Sequence, residues 1–131
     1  MGRMVNETLT IESLPGPAEG QHILRLKGPI VLTTFFEFQR IVREDSSSTL
    51  ILDFSDVPYV DSAGIGALTM GYVHRQNDKR GILLVGVNSR VRTALKVTKV
   101  DQFFQFADQI PGAQAADVRS GGDVIPDMKK L

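Results

Sequence analysis

Asp61-Ser62-Ala63-Gly64 sets a carboxylate beside a hydroxyl, after the apolar run Leu50-Ile51-Leu52-Asp53-Phe54 and before a helical pattern that begins near Ile65. The first N–H groups of a helix lack internal partners and carry partial positive charge, so a serine at that point can hold an anionic group. A serine between strand and helix is also the placement of a nucleophile elbow. That motif needs a glycine two residues before the serine, where this chain has Val60, and it needs a base. His74 lies twelve residues farther along the same helix, about 18 Å away at 1.5 Å per residue. His22 opens an earlier strand, so both histidines read as surface or boundary residues and no catalytic residue is assigned. Asp53, Asp56 and Asp61 gather near the carboxyl end of a strand, where sites often form. Their spacing is not that of a metal-binding loop, so they are expected to cap turns or to orient Ser62, with no metal held by this chain. Phosphate-binding glycine loops, dinucleotide fingerprints and zinc spacings do not occur.

Gly64 and Gly66 are poor helix formers, costing about 1 kcal/mol each relative to alanine. One reading is that they let another backbone come close. The other is that Asp61 or Ser62 is an N-cap and the glycines permit tight packing of helix on sheet.

The elements that must position Ser62 follow from periodicity. Thr8-Leu9-Thr10-Ile11 and Ile23-Leu24-Arg25-Leu26 alternate and predict two edge-type strands, separated by the breaks at Pro15-Gly16-Pro17 and Gly20. Phe35, Phe38, Ile41 and Val42 predict a first helix with Thr33 or Thr34 as N-cap, Phe36 being the exposed aromatic. Leu50–Phe54 and Ile82–Val87 read as buried parallel strands flanking a helix from Ser62 to about Asn77, with Ile65, Leu68, Met70, Tyr72 and Val73 inward and Lys79-Arg80-Gly81 closing it. Asn88 or Ser89 caps a third helix with Val91, Ala94, Leu95 and Thr98 inside, and Phe103–Phe106 adds a last strand. Arg90, Arg92, Lys96 and Lys99 make one face of that third helix basic, by default a solvated face and otherwise a dock for an acidic partner. The fold class is α/β, a mixed sheet of about four to five strands with about four helices and central parallel βαβ units. A short helical piece is expected around 113–116, with 1–117 as one domain and 118–131 as a flexible C-terminal tail.

Length and composition agree. At 131 residues the chain can bury roughly two thirds of its unfolded surface as one domain. Fifteen basic residues balance fifteen acidic ones, so no long-range field favours nucleic acid or an anionic membrane. Cysteine is absent, which excludes disulfides, thiolate catalysis and Cys-bound metal. No apolar run nears the roughly 20 residues that span a bilayer, and the start lacks a signal-peptide core, so a cytoplasmic location is expected.

The order β-β-α-β-α-β-α-β, with Leu52-Asp53, Tyr59-Val60-Asp61-Ser62, Gly64-Ile65-Gly66, Leu83-Val85-Gly86 and Val100-Asp101-Phe103-Phe106, resembles the STAS family of bacterial anti-sigma factor antagonists over roughly Leu9 to Ala116. The resemblance implies a STAS fold and a non-enzymatic switch. In it the unmodified protein binds an anti-sigma factor with serine kinase activity, and phosphorylation of Ser62 releases it. ATP would be bound by the partner, no cofactor by this chain, and a phosphatase is a further partner the scheme admits. The partner surface implied is Asp61, Ser62, Ala63, Gly64, Ile65 and Gly66. Many relatives carry a second serine where this chain has Ala63, which leaves Ser62 the one hydroxyl of the turn. Where many relatives are acidic after strand two, this chain reads Gly28-Pro29-Ile30-Val31. The alternative is a non-switching STAS scaffold or subunit of a stress-signalling or lipid-transport complex.

Overall fold

The computed structural model of the chain describes residues 7–112. Its elements run β1 (Thr10–Pro15), β2 (Gln21–Lys27), α1 (Phe35–Glu44), β3 (Thr49–Asp56), α2 (Ser62–Asn77), β4 (Gly81–Val85), α3 (Ser89–Val97), a 3₁₀ turn (Asp101–Phe103) and β5 (Gln105–Ala107). The five strands lie in sequence order in one sheet, β1 antiparallel to β2 and every later neighbour parallel. Each parallel step spends a helix on its crossover, because parallel strands cannot be joined by a tight turn.

Alternation sorts the side chains between two faces. Leu24, Leu26, Leu50, Leu52, Phe54 and Leu84 form one core with Phe38 and Val42 of α1, Ala67 and Leu68 of α2, and Val91 and Leu95 of α3. Ile23, Ile51 and Val85 point the other way and pack with Leu14, Leu83, Ala107 and Ile110. A strand apolar on both faces is what the unbroken Leu50–Phe54 run requires, and β3 is the middle strand.

Several sequence expectations change. β2 is not an edge strand; it carries β1 on one side and β3 on the other, so among the described residues β1 and β5 are the edges. The described residues hold three α-helices and one 3₁₀ turn, and the helical piece expected near 113–116, like the 118–131 tail, falls outside them. Met70 and Val73 face outward, 56% and 42% exposed, and Thr98 is exposed as well. Leu68 is buried and Ile65 and Tyr72 pack against the core as expected, and the buried residues of α2 also include Gly64, Ala67, Gly71 and Arg75. Small residues let α1 approach: a methyl on Gly71 would stand 2.9 Å from Val42 Cγ1. Gly81 belongs to β4, and the left-handed residue after α2 is Lys79 (φ 59°).

Arg75 is the largest fully buried side chain, 0% exposed. It donates to the carbonyls of Gly81 (3.0 Å) and Ser47 (2.7 Å) and to Asp45 Oδ1 (3.2 Å). Asp45 follows the last turn of α1 and also accepts from Ser47 N (2.9 Å), the Ser47 hydroxyl and His22 Nδ1. Burial pushes the Asp45 carboxyl up, but the hydrogen bonds from Ser47 and His22 outweigh it and hold the pKa below its ordinary 3.8. A carboxyl with a depressed folded-state pKa binds protons more readily unfolded, so its stabilisation is complete above about pH 4 and lost as pH falls through the folded value. Urea midpoints measured from pH 5 downward should therefore fall more steeply for the wild type than for Asp45→Asn. Parallel slopes would contradict the assignment.

Candidate functional site

Asp61 and Ser62 sit at the carboxyl end of β3. Asp61 is the N-cap of α2: its Oδ1 accepts from Gly64 N at 3.0 Å, and its Oδ2 accepts from Leu32 N at 3.0 Å. Both oxygens are thus committed to backbone amides, one in the helix and one in the segment after β2. The same segment is stitched down by Ile30 N to Tyr59 O (3.3 Å), Asp61 N to Ile30 O (3.3 Å) and a parallel Ile30–Val60 bridge. On the other side Asn88 Nδ2 donates to the carbonyls of Val57 (3.1 Å) and Pro58 (3.3 Å), while its Oδ1 caps α3 through Val91 N. The crossover loop that delivers Ser62 is held from two directions.

Ser62 is the first helical residue and is exposed. Ala63 and Ile65 are half-buried, the latter against the core, and Gly66 is exposed with open space where a methyl would go. Gly64 is buried, and a Cβ there would lie 2.0 Å from Ile30 O and 2.8 Å from Ile30 C. The two glycines therefore differ. Gly64 admits the chain's own backbone, and Gly66 leaves a notch on the outer surface.

Residues spaced by three and four share a helix face, so Ser62, Gly66, Met70 and Val73 form one outward stripe. Leu32, whose amide Asp61 holds, is 69% exposed, and Phe36 of α1 is 70% exposed as its position predicted. Leu32 escapes sequence reasoning, because a lone leucine in a loop carries no periodic signal, and Met70 is exposed where its spacing suggests the inner face.

The aspartate trio separates. Asp53 lies on the face away from the helices, where it accepts from Ser55 N (3.0 Å) and meets Arg25 Nε (3.4 Å); Asp56 is exposed. Among the described residues no group of three or more His, Cys, Asp or Glu gathers as a metal site. His22 pairs with Leu50 at the start of β3, whereas Ser62 follows its end, roughly 20 Å apart at about 3.3 Å per residue. Arg90 lies over the Tyr59 ring at 4.7 Å, and the Tyr59 hydroxyl donates to Glu7, which raises the phenol's pKa. Arg92 covers Phe106 at 3.7 Å, so part of the basic α3 face is spent on packing.

Residues 12–113 match the STAS domain. The chain belongs to the STAS family. Its STAS fold is similar to that of an anti-sigma factor antagonist from Mycobacterium paratuberculosis, with 22% identity, 86% of this chain and 95% of that one covered, and a TM-score of 0.69. The unphosphorylated anti-sigma factor antagonist SpoIIAA shares 16% identity over 83% of this STAS domain's chain and 94% of its own, with a TM-score of 0.59. A sulfate transporter family protein from Wolinella succinogenes shares 23% over 70% and 79%, also at 0.59. No helix of the described STAS domain is long and apolar enough to cross a membrane.

Proposed function

We infer that this STAS protein is an anti-sigma factor antagonist: unmodified, it binds an anti-sigma factor that is also a serine kinase, and phosphorylation of Ser62 releases it. The observation that carries this reading is an exposed serine at the first position of α2, on a loop pinned by Asp61 and Asn88. A phosphate there meets the free N–H end of a helix, so the fold tolerates it. It adds about 1.5 to 2 negative charges and three acceptors to the docking surface. Against one partner carboxylate at 4 Å and an effective dielectric near 20, the repulsion is roughly 4 kcal/mol per unit charge before solvent screening. Even ~1.5 to 3 kcal/mol weakens binding about tenfold to a hundredfold or more. Docking is spoiled without refolding.

Ser62 is substrate rather than catalyst in this reading, since His22 lies at the other end of the sheet and His74 far along α2. The partner supplies ATP, a phosphatase resets the switch, and the cycle runs in the cytoplasm. Incubation with the cognate kinase and ATP should place one phosphate on Ser62 by mass spectrometry. In titration calorimetry Ser62→Ala should bind like the unmodified protein, and Ser62→Asp at least about tenfold more weakly. Modification confined to other residues, or equal affinities, would sink it. A second reading, a STAS subunit that docks without a switch, is supported by the fold likeness to the sulfate transporter family protein. It predicts no kinase-dependent modification of Ser62.

A further inference from the structure

At the end of the sheet opposite Ser62, three side chains from three elements form a hydrogen-bonded line. Ser13 Oγ on β1 is 2.6 Å from His22 Nε2 on β2, and His22 Nδ1 meets Asp45 Oδ2 just past α1. A carboxylate only accepts, so Nδ1 carries a proton, and the tautomer that leaves Nε2 unprotonated would turn its lone pair to the Ser13 hydroxyl. Asp45 is held in turn, its side chain 5% exposed and its Oδ1 taken by Ser47 and Arg75. These are the contacts of nucleophile, base and orienting carboxylate, which identify such a group by geometry rather than sequence order.

Two further features concern the reacting end. Ser13 is exposed and His22 half-buried, so the hydroxyl can be reached from solvent. β1 is an edge strand, and Gly16 N donates to Gln21 O, which makes that pair a hydrogen-bonded one. Antiparallel pairs alternate, so Leu14–Ile23 is the next hydrogen-bonded pair and Ser13–Leu24 is not. The Ser13 N–H therefore points away from β2 and, among the described residues, meets no neighbouring strand, so a donor on the nucleophile's own residue lies at the sheet edge.

The geometry points to Ser13 as a nucleophilic serine, with His22 as its general base and Asp45 as the residue that positions His22, able to be acylated by small carboxylic esters. In the step, Ser13 Oγ attacks the carbonyl carbon and its proton passes to His22 Nε2. The carbonyl oxygen takes the negative charge facing the Ser13 N–H. As the carbonyl re-forms, the bond to the leaving oxygen breaks and that oxygen takes the proton from His22, leaving an acyl-Ser13 ester. A water then attacks the acyl carbon and passes its proton to His22; as the carbonyl re-forms, the bond to Ser13 Oγ breaks and Oγ takes that proton back, which frees the acid and restores the serine. This chemistry is separate from the proposed switch at Ser62, and the two stand or fall independently.

The full chain should be treated with a fluorophosphonate, which forms a P–Oγ bond with loss of fluoride, and separately with p-nitrophenyl acetate, and the modified serines mapped by mass spectrometry. Ser13 is expected to label at least about tenfold faster than any other exposed serine, such as Ser46, Ser55, Ser62 or Ser89. Ser13→Ala should remove the label, and His22→Gln should slow it about a hundredfold while circular dichroism shows an unchanged fold. Wild-type labelling spread evenly over exposed serines overturns the proposal without recourse to any variant, and so does a folded His22→Gln that labels at the wild-type rate.

Discussion

Gly64→Ala is expected to destabilise the domain by about 2 to 4 kcal/mol, lowering Tm by roughly 10 °C, while Gly66→Ala, two residues away, stabilises it by up to about 1 kcal/mol. Propensity favours alanine equally at both positions, so the difference lies in what the methyl meets. At Gly64 it would stand 2.0 Å from the Ile30 carbonyl oxygen, and that oxygen belongs to backbone anchored through Asp61 and Tyr59. The neighbour cannot rotate away. Either α2 shifts or the Pro29–Leu32 segment lifts, and Leu32 loses the Asp61 hydrogen bond that places it beside Ser62. At Gly66 nothing lies within 4 Å. Thermal melts of the two variants settle the matter, and a loss of similar size at both would contradict the packing. Partner binding should fall for both, because Gly66→Ala fills the notch between Ser62 and Met70. A stabilised variant that binds poorly is the signature expected of a docking position.

Arg75→Leu should cost about 3 to 5 kcal/mol, near the upper end for a single substitution. Leucine fills part of the space but supplies no donor. The carbonyls of Gly81 and Ser47 and the Asp45 carboxylate would lose partners at a buried site, and leaving buried groups unpaired costs more than the bonds themselves contribute. Burial also lowers the Arg75 pKa, with the attraction of Asp45 acting in the opposite direction. Arg75→Lys keeps the charge but offers a point donor in place of a planar fork. It should recover only part of the loss. Urea denaturation of the two variants tests this, and a leucine variant within about 1 kcal/mol of wild type would show that Arg75 is replaceable by apolar packing. Because Arg75 and Asp45 join α1, α2 and the start of β3 and β4 below the sheet, their loss should leave the Ser62 end folded the longest.

Much of the architecture was legible because it is written in local periodicity. The unbroken Leu50–Phe54 run marked a strand covered on both faces, and α2 spans Ser62–Asn77 as its pattern indicated. The place of Ser62 at a helix start also followed, since strand end, acidic cap and helix start are neighbours in sequence. Side choice on α2 followed only in part: Ile65, Leu68 and Tyr72 face the core as expected. Gly64, Ala67, Gly71 and Arg75 are inward and Met70 and Val73 outward, against hydrophobicity, because close approach to α1 and to Ile30 selects for small residues. A buried arginine looks like a surface arginine until the carbonyls of Gly81 and Ser47 are seen to converge on it.

Order of elements, the central strand and the exposed hydroxyl at the mouth of α2 were thus determined by the sequence itself, through interactions spanning a few residues. Only the tertiary structure decided that Asp61 binds Leu32, that Gly64 admits Ile30, and that Ser13, His22 and Asp45 form one line. Those partners are separated by 29, 34, 9 and 23 positions in the chain. Contacts across such separations are set by sheet register and helix packing, which no local pattern encodes.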